Sequence, residues 1–157
     1  MNLLFVLSVA FLVLGFAYVA ASNYDFTAGE FKAEPSIAFR PPYYFEENSI
    51  ASEFNAFFFV FLFSLLFFGL TAPVALAIEG AKYGTLISMP SPQTFDFAFA
   101  IPQVLAAYSA VLLGQAVLND IGSEKSVFDA WGIALKYFAA GILLTAALVA
   151  SKAFLGL

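Results

Sequence analysis

Glu79, Asp96 and Lys136 interrupt or border long apolar stretches, and they set the range of chemistry open to this chain. Two carboxylates that faced each other could bind a cation or carry a proton, and an ammonium could neutralise either one. Little else is available. With no Cys there is no thiolate nucleophile, disulfide, zinc finger or iron–sulfur cluster. With no His the usual haem ligand and the favoured general base near neutral pH are missing. A metal site would have to be all-oxygen, and catalysis would have to use carboxylates, Lys, Tyr or hydroxyls. No spacing in the sequence assembles such a set, so the reading is of a non-enzymatic protein with no catalytic, cofactor or metal residues.

The medium around these residues follows from composition. Hydrophobic residues make up 62% of the chain and charged residues 11%, against roughly 45–50% and about 25% in soluble domains. Twenty-one phenylalanines leave too little polar surface to cover a water-soluble globule. Six Lys and Arg against eleven Asp and Glu provide no basic patch, which excludes nucleic acid as a partner. The partner implied is the lipid bilayer, and the localisation a cell membrane crossed several times.

The elements that position the charged residues lie in the gaps between charges. Four apolar stretches, at about 2–22, 54–78, 97–119 and 130–151, reach the roughly 20 residues a helix needs to cross hydrocarbon. Continuous apolar runs, instead of alternating ones, favour helices over a closed barrel. The expected fold is all-α: one polytopic transmembrane bundle of four main spans plus a short broken or re-entrant helix near residues 80–90. Pro73 is expected to kink or interrupt the second span, and Pro102 falls early in the third, where proline is tolerated. Ser126-Val127-Phe128-Asp129 fits a capping pattern for the fourth helix. The first stretch has the apolar core and small-residue end of a signal peptide, but no basic residue precedes that core, so a retained anchor helix is preferred.

Residues 23–53 form an acidic extramembrane loop, with Asp25, Glu30, Glu34, Glu46, Glu47 and Glu53 against Lys32 and Arg40. Within it Pro41-Pro42-Tyr43-Tyr44-Phe45 reads as an extended aromatic strip at the interface. A surface loop packed over the helix ends is preferred to a partner-docking strip. Placing this loop outside puts both termini in the cytoplasm, with Lys82 and Lys152 inside. Lys136, about two turns from its helix start, can snorkel to the interface.

Small residues recur every four positions. Ala106, Ala110 and Gly114 share a face of the third span, and Gly80 and Gly84 form a GxxxG. Such faces allow close backbone approach in lipid. Packing within one bundle is the preferred use, and self-association the alternative.

The stretch from Phe54 to Gly114 reads Phe54-Asn55, Gly69-Leu70-Thr71, Glu79-Gly80 with Gly84, then Phe99-Ala100-Ile101-Pro102 and Leu113-Gly114. In this it resembles the stage II sporulation protein M family of integral membrane proteins. Glu79 stands where the family usually has Asn, the family's Pro-His-Gly element is missing, and Ala100 replaces an acidic residue before the proline. The resemblance implies a multispanning scaffold or assembly subunit of larger membrane complexes, and no defined reaction.

Two functional classes follow. One is a structural, scaffold or assembly subunit whose partners are other membrane proteins or copies of itself. The other is a small oligomeric transporter or ion-conducting subunit that uses Glu79 and Asp96 beside a broken helix. An enzyme acting on lipids is a distant third.

Overall fold

The computed structural model describes residues 2–39, 41, 50–89, 94–120 and 127–155. These form an all-helical bundle. Helix α1 is Leu3–Asn23, α2 Ile50–Leu65, α3 Ala72–Ile87, α4 Ala100–Asp120 and α5 Val127–Leu155. A 3-10 helix, Thr94–Phe99, leads into α4, and a two-residue antiparallel pair, β1 (Tyr24–Asp25) and β2 (Glu30–Phe31), follows α1.

Among the described residues, three helices are long and apolar enough to cross a membrane: Leu3–Asn23, Phe95–Asn119 and Trp131–Leu155. The expected second span, 54–78, is not one rod. It is divided between α2 and α3 by a turn at residues 66–71, so the four-span reading is corrected to three long helices and a helical hairpin. Each hairpin arm has 16 residues, about 24 Å at 1.5 Å per residue, short of the ~30 Å hydrocarbon core. The expected short helix near 80–90 is corrected too, because those positions up to Ile87 belong to the continuous α3. Pro73 starts that helix and does not kink it, since a missing N–H costs nothing in a first turn.

The turn is built to survive in apolar surroundings. Phe68 (φ 54°) and Gly69 (φ 90°) take the left-handed conformation that reverses the chain. The turn's backbone groups bond locally: Phe68 N–H donates to the Leu65 carbonyl at 3.0 Å, Gly69 to Ser64 at 2.9 Å and Leu70 to Phe67 at 3.0 Å. The Thr71 hydroxyl donates to the Phe63 carbonyl. Irregular backbone at membrane depth requires this kind of internal satisfaction.

The core lies among α2, α3 and α4, where Phe57, Val60, Ala72, Ala75, Leu76, Ala106, Ala107 and Val111 are buried together. Phe138 and Ile142 of α5 and Leu4 and Leu12 of α1 pack onto it. Outward-facing Leu14, Ile133, Leu135 and Leu143 are exposed, as lipid-facing surfaces should be.

Contacts fix the directions. Asn2 donates to Gln115 at 2.6 Å, Phe5 meets Tyr108, and Phe16 meets Phe97, so α1 runs antiparallel to α4. Ser109 donates to the Ala134 carbonyl and Lys152 pairs with Asp96, so α5 is antiparallel to α4 as well. Residues 2 and 152 therefore lie at opposite ends of the bundle. The segment after α1 also shares an end with Lys82 and Lys152: Phe39 N–H donates to Thr85 Oγ1 at 3.1 Å. The separation of that segment from these lysines, expected from the sequence, is corrected accordingly. We refer to this end, where α1 stops and α2 starts, as the polar end.

Candidate functional site

Helix α3 carries two opposed faces. Gly80 and Gly84, four apart, face α1, while Glu79, Lys82 and Tyr83, spaced i, i+3 and i+4, share a face. A Cβ on Gly84 would lie 2.6 Å from the Phe16 carbonyl oxygen, and one on Gly80 would overlap the Leu12 carbonyl. Gly15 reciprocates from α1, its absent Cβ being replaced by the Ala77 carbonyl. The GxxxG thus works inside the chain, bringing α1 onto α3.

The small residues of α4 are used in the same way. Ala106 and Ala110 are fully buried. Gly114 accommodates the hairpin turn, since a Cβ there would meet Phe68 Cα at 2.6 Å. Gly80, Gly84 and Gly114 are thus close-approach positions within the chain, and Ala106 and Ala110 lie in its interior.

The polar face of α3 builds a buried network across α2 and α4. Lys82 Nζ lies 3.3 Å from Glu53 Oε2, with both side chains almost wholly enclosed, and 5.5 Å from the centroid of the Tyr83 ring. Tyr83 Oη donates to Gln103 Oε1 at 2.7 Å, and its ring packs 5.7 Å from that of Phe97. Glu79 has no exposed surface, and neither carboxyl oxygen has a hydrogen-bond partner among the described residues. The same is true of Gln103 Nε2. The Gln103 amide and the Lys82 ammonium are near enough to act electrostatically on the Glu79 carboxyl, but neither meets it in hydrogen-bonding geometry.

Asp96 belongs to a separate pair. Lys152 Nζ donates to its Oδ1 at 2.6 Å, tying the last turns of α5 to the 3-10 helix. The expected Glu79/Asp96 partnership is thereby divided, since Asp96 is neutralised by Lys152 and Glu79 faces Gln103. Lys136 sits on the exposed side of α5, where its stem can lie along apolar surface. Tyr43, Tyr44 and Phe45 lie outside the described residues, as does the expected cap residue Ser126.

Sequence reasoning missed Glu53, Tyr83, Gln103 and the roles of Lys82 and Lys152. For α3 a signal existed in the i, i+3, i+4 spacing of Glu79, Lys82 and Tyr83. For Gln103 there was none beyond a lone amide in an apolar helix. Among the described residues no group of three or more acidic side chains is arranged to hold a metal ion.

Outside the bundle, the short hairpin is firmly built. Asn23 clamps Ile37 through both amide atoms, each at 2.9 Å. Lys32 donates to the Ser22 carbonyl at 3.0 Å and to Ser36 at 2.8 Å. Asp25 accepts from the Thr27 hydroxyl and from the Thr27 and Ala28 N–H groups, which hold its carboxyl below the usual aspartate range. The rings of Phe26 and Phe31 both pack on Tyr24 at about 5 Å, and Phe26 stays 78% exposed.

No family model matches this chain, and no curated protein or solved structure does either.

Proposed function

We propose that this chain is a non-enzymatic integral membrane subunit that scaffolds or assembles a larger membrane complex, with the β1–β2 hairpin as its docking element. The carrying observation is that hairpin. Lys32, next to β2, ties it to the Ser22 carbonyl of α1, Asn23 holds the segment that follows at Ile37, and Phe26 points outward. An exposed aromatic on a pre-ordered support binds at low entropic cost. The inward-facing ion pairs, which brace α2 to α3 and α5 to the 3-10 helix, suit a stiff platform. The small-residue faces do not contribute to this reading, because they are used within the chain.

The test is photo-cross-linking from position 26 in native membranes, together with purification in mild detergent. A discrete cross-linked species and a co-purifying subunit or defined oligomer are expected, both weakened by Phe26→Ala. A particle that is strictly monomeric and cross-links only to lipid would overturn the reading.

A further inference from the structure

We propose that Glu79 binds one small monovalent cation, H+ or Na+, inside the bundle, at a site formed with Gln103 and Tyr83. The titratable and charged groups around this site are Glu53 from α2, Lys82 and Tyr83 from α3, Asp96 from the 3-10 helix and Lys152 from α5. The face of α1 that packs on α3 offers none, because Leu3–Asn23 contains no charged residue. Lys152 balances Asp96 at 2.6 Å. Lys82 alone serves both Glu53 and Glu79, and it lies 3.3 Å from Glu53. Among the described residues, one negative charge in this group is left without a cation of its own.

Geometry places that charge on Glu79. It is completely enclosed, yet both of its oxygens lack a partner among the described residues. A buried carboxylate without partners is among the most costly arrangements a protein can hold, and native interiors pair such groups almost without exception. The neighbouring Gln103 amide is unsatisfied on its nitrogen, while its oxygen accepts from Tyr83 at 2.7 Å. Two adjacent orphans, an acid and an amide, form a pocket of polar atoms that one small positive species would complete. A bound proton would let Glu79 donate one hydrogen bond and accept another from Gln103 Nε2. A sodium ion would use both carboxylate oxygens and, after rotation of the amide, Gln103 Oε1. The two assignments of that amide are distinguished by its hydrogen-bond network and not by its shape.

The site does not depend on the docking role proposed above. It sits inside the bundle, and its test requires no partner.

Dicyclohexylcarbodiimide, an apolar reagent that adds to protonated carboxyls in low-dielectric sites, is applied to the full chain in detergent, and the modified residue is read by peptide mass spectrometry. In sodium-free choline buffer at acidic pH, the adduct is expected at Glu79 and should disappear in Glu79→Gln. If added NaCl slows labelling about tenfold at ten times its Kd and KCl does not, the occupant is Na+. If only raising the pH suppresses labelling, it is H+. In parallel, the melting temperature of the wild type should shift with Na+ or pH by an amount that Glu79→Gln no longer shows. An unlabelled Glu79 at acidic pH in sodium-free buffer overturns the proposal. So does an identical Na+ and pH dependence of melting in the two proteins.

Discussion

Gly80 of α3 lies against the Leu12 carbonyl of α1, in the space where any other residue would place its Cβ. This contact, with Gly84 against Phe16 and Gly15 against Ala77, makes α1 and α3 nearly one body. Without a hydrophobic driving force between helices in lipid, close packing of this kind is what holds them together. Gly80→Val should therefore cost about 3 kcal/mol, the upper part of the usual overpacking range. Gly132 on α5 has open space where a Cβ would project, with nothing within 4 Å, so Gly132→Ala should be neutral or slightly stabilising. Denaturant titration in detergent, followed by circular dichroism, distinguishes the two. Equal effects would mean that α1 does not rest on Gly80.

A second prediction concerns Asp96 and Lys152. Their side chains are only 11% and 15% exposed, so removing one partner leaves a poorly solvated charge. Asp96→Asn should destabilise by about 3 kcal/mol, the lower end for a broken buried pair. Adding Lys152→Met should restore most of that loss, because the stranded ammonium is then gone too. A double-mutant cycle on thermal unfolding measures the coupling. Additive single effects would show that the pair contributes nothing.

These two cases also show what was legible in the chain alone. Charge-free runs marked α1 and α4 closely, and an apolar run broken only by Lys136 marked α5, because a bilayer imposes length and apolarity together. Of the small residues spaced four apart, Gly80, Gly84 and Gly114 meet neighbouring backbone closely, and Ala106 and Ala110 are buried. The hairpin was not legible. Its turn, Leu66-Phe67-Phe68-Gly69-Leu70-Thr71, is as apolar as the helices it joins, so hydropathy runs through it unbroken, and Pro73 alone hints at an interruption nearby. The ion pairs escaped for a related reason. Glu53 to Lys82 and Asp96 to Lys152 are matches between distant elements, and a sequence without its fold cannot say which charges will meet.

The extramembrane hairpin makes a pH prediction with a definite sign. Asp25 has its carboxyl lowered from the ordinary 3.8, chiefly by the Thr27 hydroxyl and then by the Thr27 and Ala28 N–H groups. A depressed acid stabilises the fold above its unfolded value, and that contribution is lost as pH falls through the lower, folded value. The turn at residues 25–28 should therefore stay closed at neutral pH and loosen only well into the acid range. Amide shifts of Thr27 and Ala28 by NMR should report one titration below 3.8, absent in Asp25→Asn. A titration at or above the ordinary value would contradict the hydrogen bonding described.

The turn between α2 and α3 gives a pair of opposite outcomes. Phe68 holds φ at 54° despite its side chain, a conformation that costs non-glycine residues roughly 1–2 kcal/mol. Its ring is partly exposed, so Phe68→Gly should leave stability unchanged or raise it by about 1 kcal/mol. Gly69, at φ 90°, has Val111 Cα 2.8 Å from where a Cβ would sit. Gly69→Ala should thus lose about 2–3 kcal/mol through strain and overlap. The same unfolding assay ranks them, and a reversed order would place the chain reversal elsewhere.

The helix directions lead to a topology that can be read directly. Asn2 bonds to Gln115 near one end of α4, whereas Lys152 pairs with Asp96 beyond the other. Three long helices crossing the bilayer carry the chain from one side to the other, and the hairpin, entering and leaving at the polar end, does not change that parity whether or not its tip reaches the far surface. Because the chain has no Cys of its own, single cysteines report position without background. Asn2→Cys and Ala153→Cys should react with a membrane-impermeant maleimide from opposite sides of sealed vesicles. Asp25→Cys should share the side of residue 153, since α1 ends at the polar end. Phe67→Cys adds the depth of the hairpin: labelling from the side of residue 2 means that the two 16-residue arms reach that interface, and protection from both sides means that the tip stops in hydrocarbon. Residues 2 and 153 labelling from the same side would contradict the arrangement of α1, α4 and α5.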